Sequence, residues 1–199
     1  SVATLTGADG YVCQVRCPAC ERERMIESDA AFIPPRFRAT IDLPPKITDW
    51  AKRGREAQGL YLAGPVGTGK THAAWMAVRL WCEHTGTSPG IRRPTFDGDP
   101  VRGSLVIFTR MTDLLDDLRP GDDSRQRVRD CQNAKLLVID DVGAEKASEW
   151  TQERLYTIID HRYAGCLPLL VTGNLPPSKL AEQTGERSAS RLAEMCQVV

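Results

Sequence analysis

No stretch of this 199-residue chain is apolar for the roughly 20 residues that a membrane span needs. The first residues, SVATLTGADGYVCQ, lack the basic-then-apolar layout of a secretory leader. The expectation is a soluble, cytoplasmic protein with no membrane partner. An excess of either charge is missing too, since 26 Lys and Arg face 26 Asp and Glu. Net charge therefore identifies no polyanionic partner, and a nucleic-acid surface must be a local one. There is no internal repeat. Neither a helix-turn-helix nor an RNP-like aromatic motif occurs, so sequence-specific reading of nucleic acid is unsupported. Histidine is scarce, with three residues (His72, His84 and His161), none of them near the cysteine cluster at the N-terminus.

Cysteine is present in an odd number, seven. A disulfide framework is not expected in a reducing compartment. Cys82, Cys131, Cys166 and Cys196 are scattered through segments with helix or strand patterns and read as small buried apolar residues. Cys13, Cys17 and Cys20 form C-x₃-C-x₂-C. The CPAC knuckle is a common half of a Zn²⁺ site because it sets two thiolates on one tight turn. A structural zinc takes four ligands, so these three are a candidate site with the fourth ligand elsewhere; three reduced, non-ligating thiols are the alternative.

Two regions are expected, a cysteine-rich segment over residues 1–31 and a domain over 32–199. FIPPRFRATIDLPP (32–45) is proline-rich and reads as an extended linker or clamp. Beyond it, short apolar runs alternate with helical patterns. The runs are GLYLAG (59–64), SLVIFTR (104–110), KLLVIDD (135–141) and LPLLVTGN (167–174), and CQVV opens a fifth where the sequence stops inside an apolar run, as if the natural chain continued. The helical patterns are KITDWAKRGREA, KTHAAWMAVRLWCEH, MTDLLDDLR, SRQRVRDCQNA, SEWTQERLYTIIDHRYAG, PPSKLAEQTG and ERSASRLAEM. Residues 85–103 have no periodicity and read as a loop. Runs that are continuously apolar and separated by helices predict a parallel sheet covered on both faces.

GPVGTGKT (64–71) fits G-x-x-x-x-G-K-[ST] with a strand before it and a helix after it. The glycines let successive backbone N–H groups point into one concavity where a side chain would obstruct a polyphosphate, and the following helix adds the positive end of its dipole. The nucleotide-binding set is Gly64, Pro65, Val66, Gly67, Thr68, Gly69, Lys70, Thr71 and His72. Lys70 is placed to reach the β- and γ-phosphates of ATP, and Thr71 to ligate Mg²⁺. A second element, LLVIDD (136–141), ends a strand in two carboxylates. Asp140 is assigned to the Mg²⁺ hydration shell. Asp141 is assigned to the attacking water, with Glu145 competing for that role. A third element is LLVTGN (169–174), where Asn174 is the candidate contact to the γ-phosphate or the water, with Thr172 behind it.

Taken in order, GPVGTGKTHAA, LLVIDDVGAEKASEW, LYTIIDHRY, LPLLVTGNLPPSKL and GERSASRLAEM resemble the AAA+ ATPases of the DnaC/DnaI helicase-loader group and their relatives, the IstB transposition helpers. The resemblance runs over about residues 32–199, and IPPRFRATID resembles the group's lead-in to the nucleotide site. It implies a P-loop NTPase (AAA+) αβα sandwich with a parallel sheet of about five strands, preceded by a short cysteine-rich N-terminal segment. It further implies an ATPase that works as a homo-oligomer on single-stranded DNA with a replicative DNA helicase. In such assemblies one subunit offers an arginine to the ATP of its neighbour; Arg191 matches that finger best, with Arg187 in reserve. Arg162 faces a neighbouring subunit or makes a salt bridge to Asp160 or Glu153. The chain departs from many AAA+ proteins in carrying Asp140-Asp141 where Asp-Glu is usual, which implies slow intrinsic hydrolysis; its loop over 85–103 is longer, and it has no separate helical lid.

Basic residues crowd three places, Arg125/Arg127/Arg129, Lys52/Arg53/Arg55 and the IRR of the long loop. Each is a candidate phosphate contact or a solvated face. The functional expectation is an ATP-driven loader that places a replicative helicase on single-stranded DNA. The alternatives are an IstB-like helper acting with a transposase on duplex DNA, and a nucleotide-responsive adaptor that scarcely hydrolyses ATP.

Overall fold

The apolar runs send alternate side chains to opposite faces, and both faces are dry. In the computed structural model, which describes residues 32–87, 106–121, 124–143 and 147–199 and the backbone of 2–6 and 12–16, the strands are β1 (Val2–Thr6), β2 (Val12–Arg16), β3 (Gly59–Ala63), β4 (Val106–Arg110), β5 (Leu136–Val142), β6 (Leu169–Gly173) and β7 (Cys196–Val198). The helices are α1 (Pro45–Arg53), α2 (Lys70–Thr85), α3 (Met111–Asp117), α4 (Ser124–Asn133), α5 (Glu149–Ala164), α6 (Ala181–Thr184) and α7 (Glu186–Met195). Strands β3 to β7 form one parallel sheet in the order β4-β5-β6-β3-β7.

Leu60, Leu62, Val106, Leu136, Val138 and Leu170 pack with Ile47 and Trp50 of α1 and Ala77, Val78 and Trp81 of α2. Their neighbours Tyr61, Ile107, Leu137, Ile139, Leu169 and Val171 pack on the other side with residues of α3, α4, α5 and α7. This two-residue alternation between two helical layers makes the sandwich. It also explains why the strands read as unbroken apolar runs: neither face meets water. The expected five-stranded parallel sheet is present, with CQVV supplying the fifth strand beside β3. The backbone pairs β1 and β2 antiparallel, with Thr6 opposite Val12, a hairpin not anticipated in a segment short of core residues. Val66, Trp150 and Val198 are the large apolar side chains left open to solvent among the described residues, and no helix there is long and apolar enough to cross a membrane.

Two expectations are corrected here. Cys82, Cys131 and Cys196 are buried, but Cys166 is exposed, because the chain turns through it at φ 49° directly after Gly165. Arg162 neither faces outward nor pairs with a carboxylate. Its side chain is fully buried and its guanidinium donates to the carbonyls of Cys131, Gln132, Ala134 and Pro168. These carbonyls belong to the end of α4 and the two turns leading into β5 and β6, so one cation ties together the segments that launch two central strands. Burial lowers its pKa to about 10, which still leaves it charged at neutral pH.

Candidate nucleotide site

Three neighbouring strand tips converge on one edge of the sheet. The tip of β3 runs into the loop Gly64–Gly69, which is open to solvent from Pro65 onward, with Val66 83% exposed at its apex. Gly67 and Gly69 have φ of 86° and 84°. A Cβ at either would meet nothing within 4 Å, so what the structure requires of these glycines is the left-handed backbone rather than room among protein atoms. The loop folds back on itself through Thr68 Oγ1, which donates to the Pro65 carbonyl at 2.9 Å.

Lys70 opens α2 immediately after Gly69. Its Nζ donates to the carbonyls of Gly64 (2.7 Å) and Pro65 (2.8 Å) and to Oδ1 of Asn174 (3.0 Å). The ammonium group thus lies across the loop and touches the tip of β6. Thr71 follows, and its hydroxyl lies 3.0 and 3.1 Å from the two carboxylate oxygens of Asp140. Asp140 is only 4% exposed. Its Oδ1 also accepts a 2.7 Å hydrogen bond from Thr172 Oγ1, and the same Thr172 oxygen accepts from the Asp141 backbone N–H at 2.9 Å.

The register between β5 and β6 breaks between Ile139 and Val142. Asp141 stands in that break at φ 61°, with its side chain exposed. A left-handed aspartate in an interrupted strand re-aims the chain, as bulges beside functional sites do. The expected residues Lys70, Thr71, Asp140, Asp141 and Asn174 therefore share one place. His72 points elsewhere: its Nε2 lies 2.7 Å from the Ala39 carbonyl and its ring 5.8 Å from that of Phe37, so it holds the proline-rich lead-in against α2. Glu145 lies outside the described residues, as do Cys17, Cys20, the side chain of Cys13 and the IRR of the long loop.

Sequence reading missed Tyr61. Buried and pushed above its ordinary pKa by desolvation, it donates its hydroxyl to the Leu175 carbonyl at 2.8 Å. It thereby pins the backbone just past Asn174. A lone aromatic in an otherwise aliphatic strand was the available signal.

Arg191 lies apart from this edge, on α7. It is 35% exposed, with Nε 3.0 Å from Asp160 Oδ1, NH1 3.6 Å from Glu194 Oε2, and its guanidinium 4.3 Å from the ring centre of Tyr163. The hydrogen bond to Asp160 raises its pKa. Arg187, one turn earlier, stacks at 3.9 Å over Tyr156. Of the basic clusters, Arg127 is turned to Asp117 at 2.9 Å and Arg129 to Gln126, while Lys52, Arg53 and Arg55 are exposed.

The donor set suits a magnesium–nucleotide pair. A hydroxyl and a carboxylate face each other beside an ammonium group, and hard divalent cations take oxygen ligands. No cluster of three or more His, Cys, Asp or Glu among the described residues could hold a metal by itself.

No family model matches the chain. Among curated proteins it is similar to an ATP-binding protein in an insertion sequence of Mycobacterium tuberculosis, with 28% identity over 79% of this chain and 58% of that protein. It is also similar to the replicative helicase loader DnaC of Escherichia coli, with 29% identity over 46% of this chain and 40% of the loader. The chain thus spans from two fifths to under three fifths of these relatives. Among solved structures, the DnaC helicase loader superposes with a TM-score of 0.63 at 24% identity, covering 83% of this chain and 98% of the other. DnaI gives 0.63 at 21% identity, covering 84% and 94%. The initiator DnaA, solved with AMPPCP and single-stranded DNA, gives 0.61 at 20% identity, covering 84% and 50%. The chain has the AAA+ P-loop NTPase fold, and its homologues and structural neighbours are helicase loaders of the DnaC and DnaI kind together with an insertion-sequence ATP-binding protein.

Proposed function

We propose that this chain is an ATP-binding and ATP-hydrolysing helicase loader that delivers a replicative helicase to single-stranded DNA. The observation that carries the proposal is the meeting of Lys70, Thr71, Asp140 and Asn174 across three adjacent strand tips. The backbone of Gly64–Gly69 and Lys70 would hold the phosphates, and Thr71 and Asp140 the Mg²⁺. Magnesium, when bound, offsets charge on the terminal phosphates. Asp141 orients or deprotonates the attacking water, and Asn174, already on Lys70, reaches the same group. Arg191 completes the site of a neighbouring copy in a homo-oligomer. The likeness to DnaC and DnaI supports the loader role.

Calorimetry with ATP and Mg²⁺ tests the nucleotide half. Wild-type protein is expected to take up ATP. Lys70→Ala is expected to weaken uptake by about tenfold or more, the loss of one charge-assisted contact or more, at an unchanged melting temperature. No uptake by folded wild-type protein at millimolar ATP would overturn the proposal. Co-purification with a replicative helicase, with and without single-stranded DNA, tests the partner. A second reading, a transposition helper acting with a transposase on duplex DNA, is favoured by the wider alignment to the insertion-sequence protein. Retention of a transposase and not of a helicase would select it.

A further inference from the structure

The hydroxyl of Thr172 carries one hydrogen and two lone pairs, and the fold uses both capacities on the two carboxylate residues of β5. We propose that Thr172 is a positioning residue that sets Asp140 through its hydroxyl hydrogen and Asp141 through its hydroxyl oxygen. The proposal rests on the nucleotide-site reading above for its functional consequence, though not for its geometry.

Thr172 is 1% exposed, inside the sheet. Its hydrogen goes to Asp140 Oδ1 at 2.7 Å, whereas the Thr71 hydroxyl is spread between Oδ1 and Oδ2 at 3.0 and 3.1 Å. The Thr172 bond is thus the shorter and the more committed. It holds the carboxylate in one rotamer even when the Thr71 oxygen is recruited to a cation. The other half of the arrangement is the Asp141 amide. A non-glycine residue at φ 61° persists only where its surroundings hold it there. The 2.9 Å bond from the Asp141 N–H to Thr172 Oγ1 is the contact that does so. Pairing stops at Ile139 and resumes at Val142, so between those points this bond is the one that joins Asp141 to a β6 side chain.

The last residue of β6 and the one after it extend the same grip. The Gly173 carbonyl accepts from the Gly64 N–H at 3.3 Å, and Asn174 Oδ1 accepts from Lys70. Three successive residues therefore touch the carboxylates, the loop backbone and the lysine. Thr172 is the member whose side chain alone decides the carboxylate arm.

Thr172→Val keeps the shape and removes both hydrogen bonds; Thr172→Ser keeps the hydroxyl. Two measurements separate positioning from bulk stability. In nucleotide-free protein, the Asp141 amide is expected to exchange about tenfold faster with solvent in Thr172→Val. By calorimetry, ATP affinity in EDTA is expected to stay within about twofold of wild type, while the gain on adding Mg²⁺ shrinks by about tenfold. Thr172→Ser is expected to restore both. A wild-type exchange rate at Asp141, an undiminished Mg²⁺ gain, or serine failing to restore either one overturns the proposal. Should the valine variant not fold, Thr172→Ala carries the same expectations. Wild-type protein that takes up no nucleotide sinks the function proposed above, and amide exchange alone then decides the positioning claim.

Discussion

Cys131 and Cys196 sit in the apolar layer behind the sheet, and burial pushes their thiols up to about 11 and about 12. In an unfolded chain a thiol ionises near pH 8.5. The folded state holds these protons where the unfolded state loses them. The contribution is therefore complete at neutral pH and is lost as pH rises from about 8.5 towards the folded values. By about pH 9.5 each thiol is expected to cost on the order of 1 kcal/mol. Urea unfolding at pH 7.5 and 9.5 measures this, and a Cys131→Ala/Cys196→Ala double variant should show a flatter dependence, although it starts less stable. The same scale shows what single residues reveal in advance. Lys70, Thr71 and Asp140 were legible because the spacing of a phosphate loop and a strand ending in carboxylates is demanding chemistry. Arg162 was not, because its partners are four backbone carbonyls and carbonyls leave no trace in a sequence. Cys166 was misjudged because its exposure follows from a turn conformation and not from residue type.

Among elements, β6 does the most to hold the site together. Its last residue, Gly173, lies so close over Tyr61 that an added Cβ would overlap the Tyr61 hydroxyl and approach the Val142 carbonyl to 2.8 Å. Gly173→Ala is expected to destabilise the chain by about 2–4 kcal/mol through overpacking and loss of the Tyr61–Leu175 bond. Tyr61→Phe in the same background should recover part of that loss, and a double-mutant cycle by thermal or urea unfolding measures the coupling. Strands were legible as elements because burial on both faces makes them uniformly apolar, as in LLVI and LPLLV. Their order was not. Which strand lies beside which is set by long crossovers that local pattern does not encode. Nor could pattern show that β5 breaks register at Asp141, where the backbone N–H meets a hydroxyl on the adjacent strand.

At the scale of the whole molecule, the guanidinium of Arg191 is held by groups of its own chain, Asp160, Glu194 and the face of Tyr163. If it serves a neighbour's nucleotide, as proposed, hydrolysis depends on assembly and nucleotide binding does not. Wild-type turnover per chain should then rise with protein concentration. Arg191→Ala should bind ATP with unchanged affinity yet give turnover that stays low and independent of concentration, a difference on the order of 10³ at saturation for a finger of this type. Matching concentration curves for the two proteins would remove Arg191 from that role and turn attention to Arg187. The family likeness singled out this arginine as the candidate finger. The sequence could not anticipate that a tyrosine and two carboxylates already engage it.

The sheet pairs Gly59 with Leu169 and Tyr61 with Val171, so the strand that launches the phosphate loop leans on one made far later in synthesis. As the polypeptide leaves the ribosome, the glycine loop emerges long before β6 gives it a neighbour, and distant parallel pairings of this sort form slowly. Throughout that interval the loop lacks the Gly173 carbonyl and the Asn174 side chain that its backbone and Lys70 meet in the finished fold.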